Sequence, residues 1–375
     1  MFNISEIYKT TNIRGELLPN FKDSVIINYK NNCPHLFYDY ITKLFNPAIC
    51  PKAGKRFFFL GHRFRDLIFS LPKEEVCIIG GPAQLAFCLK YSIDYIPSGT
   101  LWRDVYTGFL RKNDNRIIKS SNKLLETLST LKINNSIMIV DKDSLPIGNI
   151  LCQIASNANI RTVCIQHGIF LSSSSQSITD GMICDISLCY DEIQRRILIE
   201  SGQEPEKVQI GGFYRKIKKS TPRVINRKIC FLGQPWFKYN KNQHDIYLSL
   251  IMKIQEELAS IGYQISYKPH PWEKGAAYLE LFPIICNEEI NEVIEEYDIF
   301  LSFTSTALIE ASLAGKIAIQ IHDVAFNADR FDDLGYSYCI DSSDIENSLI
   351  GFLDQEPYPI KMDEFYSLAK KISNI

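Results

Sequence analysis

Ser136–Gly168 reads SIMIVDKDSLPIGNILCQIASNANIRTVCIQHG. A short run of Ile, Met and Val gives way to aspartates and a proline, then to apolar residues at helical spacing, then to a second apolar run, Thr162–Gln166. That order predicts strand, helix, strand. A crossover of this kind is right-handed and makes its two strands parallel, and a parallel sheet is covered by helices on both faces. The fold class expected is therefore α/β.

Working outward, further short runs rich in Val, Ile and Phe recur at Ser24–Asn28, Arg56–Leu60 and Val76–Gly80, mostly with helical stretches between them. Gly211–Lys228 then combines glycines, a proline and many lysines and arginines with little apolar periodicity, which is the composition of a linker. A second series follows: strands at Lys228–Leu232, Gln264–Lys268, Asp298–Phe303 and Lys316–Ile321, with helices at Ile246–Ile261 and Thr306–Ala314. Gly315 stands where a helix C-cap is wanted. A chain of 375 residues is long enough for two domains. The expected division is 1–214, a linker at 215–227, and 228–375, each domain doubly wound and Rossmann-like, with a cleft between them.

Composition narrows the class of protein. Hydrophobic residues at 46% and charged residues at 22% are those of an ordinary globular chain, and a net charge of −2 speaks against a nucleic-acid partner. The opening residues have no basic stretch leading into an apolar core, and no apolar run reaches the roughly 18–20 residues of a membrane span, so a cytoplasmic protein is expected. Eleven cysteines without a CxxC pair read as reduced core residues.

Ligands of open α/β sheets bind beyond the carboxyl ends of strands, and three motifs fall there. Lys268-Pro269-His270-Pro271 holds an imidazole on a turn stiffened by two prolines, suited to a phosphate oxygen, with Lys268 as an added point charge. Ser302–Ala311 ends a strand in Thr304, Ser305 and Thr306 and opens a helix, a second phosphate-binding arrangement, with Glu310 one turn on for ribose hydroxyls. Gln166-His167-Gly168 places a histidine beyond what reads as the last strand of the first domain. His167 and Asp141 are the leading candidates for a general base; Asp143 and Asp180 are alternatives, and Asp143 also suits a helix cap. No acidic triplet is placed as a metal clamp, so neither metal nor cofactor is expected.

Together these motifs resemble the bacterial GT-B glycosyltransferases of capsule, O-antigen and lipooligosaccharide synthesis. The His-Pro and Ser/Thr pair looks most like the sialyltransferases and polysialyltransferases, and the resemblance implies that His270, Thr304, Ser305 and Thr306 bind the phosphate of a CMP-activated acidic sugar. His167-Gly168 also resembles an element of the CDP-glycerol polyol-phosphate transferases of teichoic-acid assembly, in which the corresponding histidine is a base. The resemblance implies inverting, metal-independent transfer to a glycan or lipid-linked glycan. A UDP-hexose donor is an alternative, as are a sugar-nucleotide epimerase on the same fold and a non-enzymatic glycan-binding protein. The basic run Arg215, Lys216, Lys218, Lys219, Arg223, Arg227 and Lys228 adds an expectation of peripheral contact with the inner membrane.

Overall fold

Phe57, Phe58 and Phe59 are consecutive and all buried, which happens in a strand only when both faces of its sheet are covered. They lie in the first strand of a computed structural model that describes residues 2–4, 51–111, 113–143, 145–169, 183–219, 227–238, 241–273, 276–326, 329–353, 355–360, 362 and 365–375. The expected strand Ser24–Asn28 and the candidate base Asp180 lie outside the described residues.

The described residues form two units, one within 2–169, 183–216 and 365–375, the other within 217–362. The last helix, Phe365–Asn374, thus groups with the first unit although it follows the second in the chain. Its Lys371 Nζ donates to the Ile210 carbonyl at 2.7 Å.

The first unit contains strands β1 (Lys55–Leu60), β2 (Val76–Gly80), β3 (Asp94–Pro97), β4 (Lys132–Val140), β5 (Arg161–Ile165), β6 (Ile186–Cys189) and β7 (Val208–Ile210). They form one parallel sheet in the order β3-β2-β1-β4-β5-β6-β7. The quoted strand–helix–strand unit is β4, the helix Pro146–Asn157 and β5. Gly148 lets that helix lie against the loop after β4, since a β-carbon there would come within 1.7 Å of the Lys142 carbonyl oxygen. β5 is not the final strand of the unit: β6 and β7 extend the sheet beyond it, so His167 follows an interior strand.

The second unit contains β8 (Ile229–Leu232), β9 (Ile265–Lys268), β10 (Ile299–Ser302), β11 (Ile317–His322) and β12 (Tyr338–Asp341), parallel in the order β12-β11-β10-β8-β9. The helix Lys241–Ser260 buries Tyr247, Ile251, Ile254 and Leu258 in the same apolar core as Phe231 and Leu301. Gly315 takes φ +78° just past the helix Ala307–Leu313, a conformation that favours glycine. Both units are doubly wound and Rossmann-like. The nine described cysteines are all buried.

Candidate functional site

In the second sheet the chain runs from β8 to β9 on one side and returns to β10 on the other, so the topology reverses between β8 and β10. This is where ligands of doubly wound sheets bind. Gln234, just beyond β8, and Thr304, just beyond β10, meet across that point. The Gln234 Oε1 accepts the Thr304 N–H at 2.9 Å, and its Nε2 donates to Thr304 Oγ1 at 2.5 Å.

His270 follows β9 on the Pro-His-Pro turn. The Trp272 N–H donates to its Nδ1 at 3.1 Å, which makes Nδ1 an acceptor and places the proton of the neutral ring on Nε2. The ring therefore presents an N–H donor of the kind a phosphate oxygen requires. Its backbone is held as firmly, because the His270 N–H donates to Glu273 Oε2 at 2.5 Å. Glu273 is fully buried and also accepts from Tyr267 at 2.7 Å and Tyr278 at 2.5 Å. Burial pushes its carboxyl above the ordinary 4.5, against the pull of the Tyr278 and Tyr267 hydroxyls and the His270 and Gln234 backbone.

The three hydroxyls after β10 have separate environments. Thr304 is engaged by Gln234, Ser305 Oγ accepts the Ala307 N–H at 3.3 Å, and Thr306 enters the helix without a side-chain cap. Glu310 is buried in that seven-residue helix. Lys268 ends β9 partly exposed, and its carbonyl accepts the Gly233 N–H at 2.8 Å.

In the first unit the topology reverses between β1 and β4. Beyond these strands Arg63 Nε lies 3.1 Å from Asp141 Oδ2, so the carboxylate expected as a base is engaged by a guanidinium. Asp143 is buried, and its Oδ2 accepts the N–H groups of Ile183 at 2.8 Å and Cys184 at 3.0 Å. It ties down that segment, while the following helix has Leu145 at its N-cap and no side-chain cap. His167 is partly exposed next to the buried Gln166, whose Nε2 donates to the Gly168 carbonyl at 2.7 Å and to Gln194 Oε1 at 2.5 Å. Gln166 Oε1 accepts the Tyr190 N–H at 3.0 Å, so the turn carrying His167 is fixed to the end of β6.

Sequence reasoning passed over His62, Arg63, Gln234 and Glu273. His62 stacks on Phe87 at 4.7 Å, and burial together with Arg65 holds its imidazole below the usual 6.5. A signal for Glu273 was present: an acidic residue three positions after His270, reaching back to its N–H, is half of a capping box.

The basic run offers less free charge than its sequence suggests. Lys218 pairs with Glu295 at 2.8 Å and Lys228 with Glu296 at 3.1 Å. Arg227 donates to the Tyr263 hydroxyl at 2.8 Å, and the Arg215 guanidinium lies over the Tyr214 ring. Among the described residues no helix is long and apolar enough to cross a membrane, and no group of three His, Cys, Asp or Glu side chains is placed to hold a metal.

Two parallel, doubly wound units define a fold of the GT-B type. Solved structures with this fold include Anabaena Alr3699/HepE in complex with UDP and glucose, at 10% identity and TM-score 0.55, matched over 85% of this chain and 98% of that one. The UDP-GlcNAc 2-epimerase from Methanocaldococcus jannaschii is similar at 12% identity and TM-score 0.54, again over 85% and 98%. So is UDP-GlcNAc 2-epimerase from Neisseria meningitidis bound to UDP-GlcNAc, at 11% identity and TM-score 0.56 over the same shares. At such identities the likeness is one of fold. No protein-family profile and no curated protein matches the sequence.

Proposed function

We propose that the chain is an enzyme acting on a nucleoside-diphosphate sugar, with the phosphates held by the second unit. The observation that carries this is His270: its Nε2–H tautomer is set by Trp272, its backbone is anchored by Glu273, and it belongs to the same carboxyl edge as the Gln234–Thr304 pair. A donor so fixed stabilises negative charge on a phosphate without reorganising. Lys268, Ser305 and Thr306 complete the phosphate contacts, and Glu310 accepts from the ribose.

The nucleotide favoured is uridine rather than cytidine, because fold neighbours with bound nucleotides carry UDP or UDP-sugars. Two chemistries fit a phosphate held in this way. Epimerisation of the sugar is favoured by the names of several fold neighbours. Transfer of the sugar to an acceptor hydroxyl is favoured by the His-Pro and Ser/Thr motifs. Incubation with UDP-GlcNAc alone, followed by proton NMR of the anomeric region, separates them. A new UDP-sugar without any acceptor supports epimerisation, and turnover only on addition of a glycan acceptor supports transfer. Inertness toward every nucleotide sugar, with and without acceptor, contradicts both.

A further inference from the structure

The hydroxyls behind His270 form a chain with a direction. Tyr267 donates its one phenolic proton to Glu273 Oε1 at 2.7 Å. In the 2.7 Å contact between Tyr247 and Tyr267 the donor must then be Tyr247. Tyr247 in turn accepts the Gln234 N–H at 2.9 Å. The relay therefore runs from the Gln234 backbone through two buried phenols to one carboxylate oxygen, while the other oxygen takes the His270 N–H. The loops after β8 and β9 are thereby fixed by the same side chain. Their approach is close: a β-carbon on Gly233 would lie 2.4 Å from both Glu273 Oε2 and the Tyr267 hydroxyl. Gln234 holds Thr304, so the loop after β10 is attached to the same anchor.

We propose that Glu273 is the positioning residue of the nucleotide site, setting the spacing between His270 and the Gln234–Thr304 pair so that a diphosphate is gripped by both. The proposal rests on reading the second unit as that site. Glu273 itself touches no substrate. Its chemistry suits the task because an ionised carboxylate only accepts, and every partner named here donates. An amide cannot replace it. Turned one way, Glu273→Gln sets its NH2 against the His270 N–H; turned the other, Tyr267 and Tyr278 must reverse, leaving the Tyr247 proton without an acceptor.

The test uses the full chain with 15N-labelled histidine, the His270 signals being assigned by their loss in His270→Ala. In the wild type the His270 amide proton should resonate far downfield and exchange slowly, as a short bond to a carboxylate requires. Glu273→Gln should shift it upfield and speed its exchange by about tenfold or more. That readout needs no nucleotide. In calorimetric titrations with UDP, Glu273→Gln and His270→Ala should each weaken binding by about tenfold, and the double variant should be within about threefold of the weaker single one. Should Glu273→Gln fail to fold, Gly233→Ala presses on the same contact from the opposite side and is expected to move both readouts in the same direction. An unchanged His270 amide, or losses of affinity that simply multiply, overturns the proposal. If the wild type binds no nucleotide, the functional reading fails, and the amide measurement still decides whether Glu273 anchors His270.

Discussion

Gln234 and Thr304 are 70 positions apart in sequence and hold each other through one amide, which accepts the Thr304 N–H at 2.9 Å and donates to its Oγ1 at 2.5 Å. The bond pair closes the point at which the second sheet reverses direction. Gln234→Ala removes both and is expected to cost about 1–3 kcal/mol of stability. Gln234→Glu is the sharper variant: its carboxylate can accept from both the Thr304 N–H and the Thr304 hydroxyl, so thermal stability should stay near wild type. Its added charge should still abolish the stabilisation that UDP gives. Thermal denaturation with and without UDP reads both effects.

Gly148 tests the first unit independently. With the Lys142 carbonyl oxygen 1.7 Å from where a β-carbon would be, Gly148→Ala must displace the helix Pro146–Asn157 or the loop after β4. The expected loss is about 3 kcal/mol in urea denaturation followed by circular dichroism.

Asp143 should behave as a tether. Asp143→Ala leaves the Ile183 and Cys184 N–H groups without their acceptor and should destabilise by about 2–3 kcal/mol. Asp143→Asn keeps an oxygen for them and should retain the rate of turnover. A thousandfold loss of rate in Asp143→Asn, with stability preserved, would instead mark Asp143 as the base.

Glu273 gives a pH dependence of defined sign. Burial raises its carboxyl above the ordinary 4.5, so over the interval above that value the folded state binds a proton the unfolded chain has lost. The contribution of this group to stability is therefore fully present at low pH and is lost as pH rises through the raised folded value. The difference in unfolding free energy between wild type and Glu273→Gln, measured in urea at successive pH values, should shift against the wild type as pH increases from 4.5.

The strands β1, β2, β4, β5 and β8 to β11 are visible in the sequence because each carries at least three consecutive buried residues, most of them apolar. β3 begins with Asp94 and ends with Pro97, β6 has Ser187 in the middle of its four residues and runs straight into a helical pattern, and β7 is only three residues long. His270 and Thr304 were legible because prolines and hydroxyls interrupt the chain directly after strands. Gln234 was not, because its partner is distant in sequence and an isolated glutamine after a glycine carries no periodic signal. Tyr247 and Tyr267 are buried in the core of the second unit, and only the contact between their hydroxyls, invisible in a sequence, gives them a second role.

The most direct test of the central claim is calorimetric titration of the chain with UDP and, in parallel, CMP, repeated with His270→Ala. Measurable UDP binding that exceeds CMP binding and weakens by about tenfold in His270→Ala is the expected result. UDP binding unchanged by His270→Ala, or no binding of any nucleotide, contradicts the assignment of the second unit's carboxyl edge as a nucleotide-phosphate site.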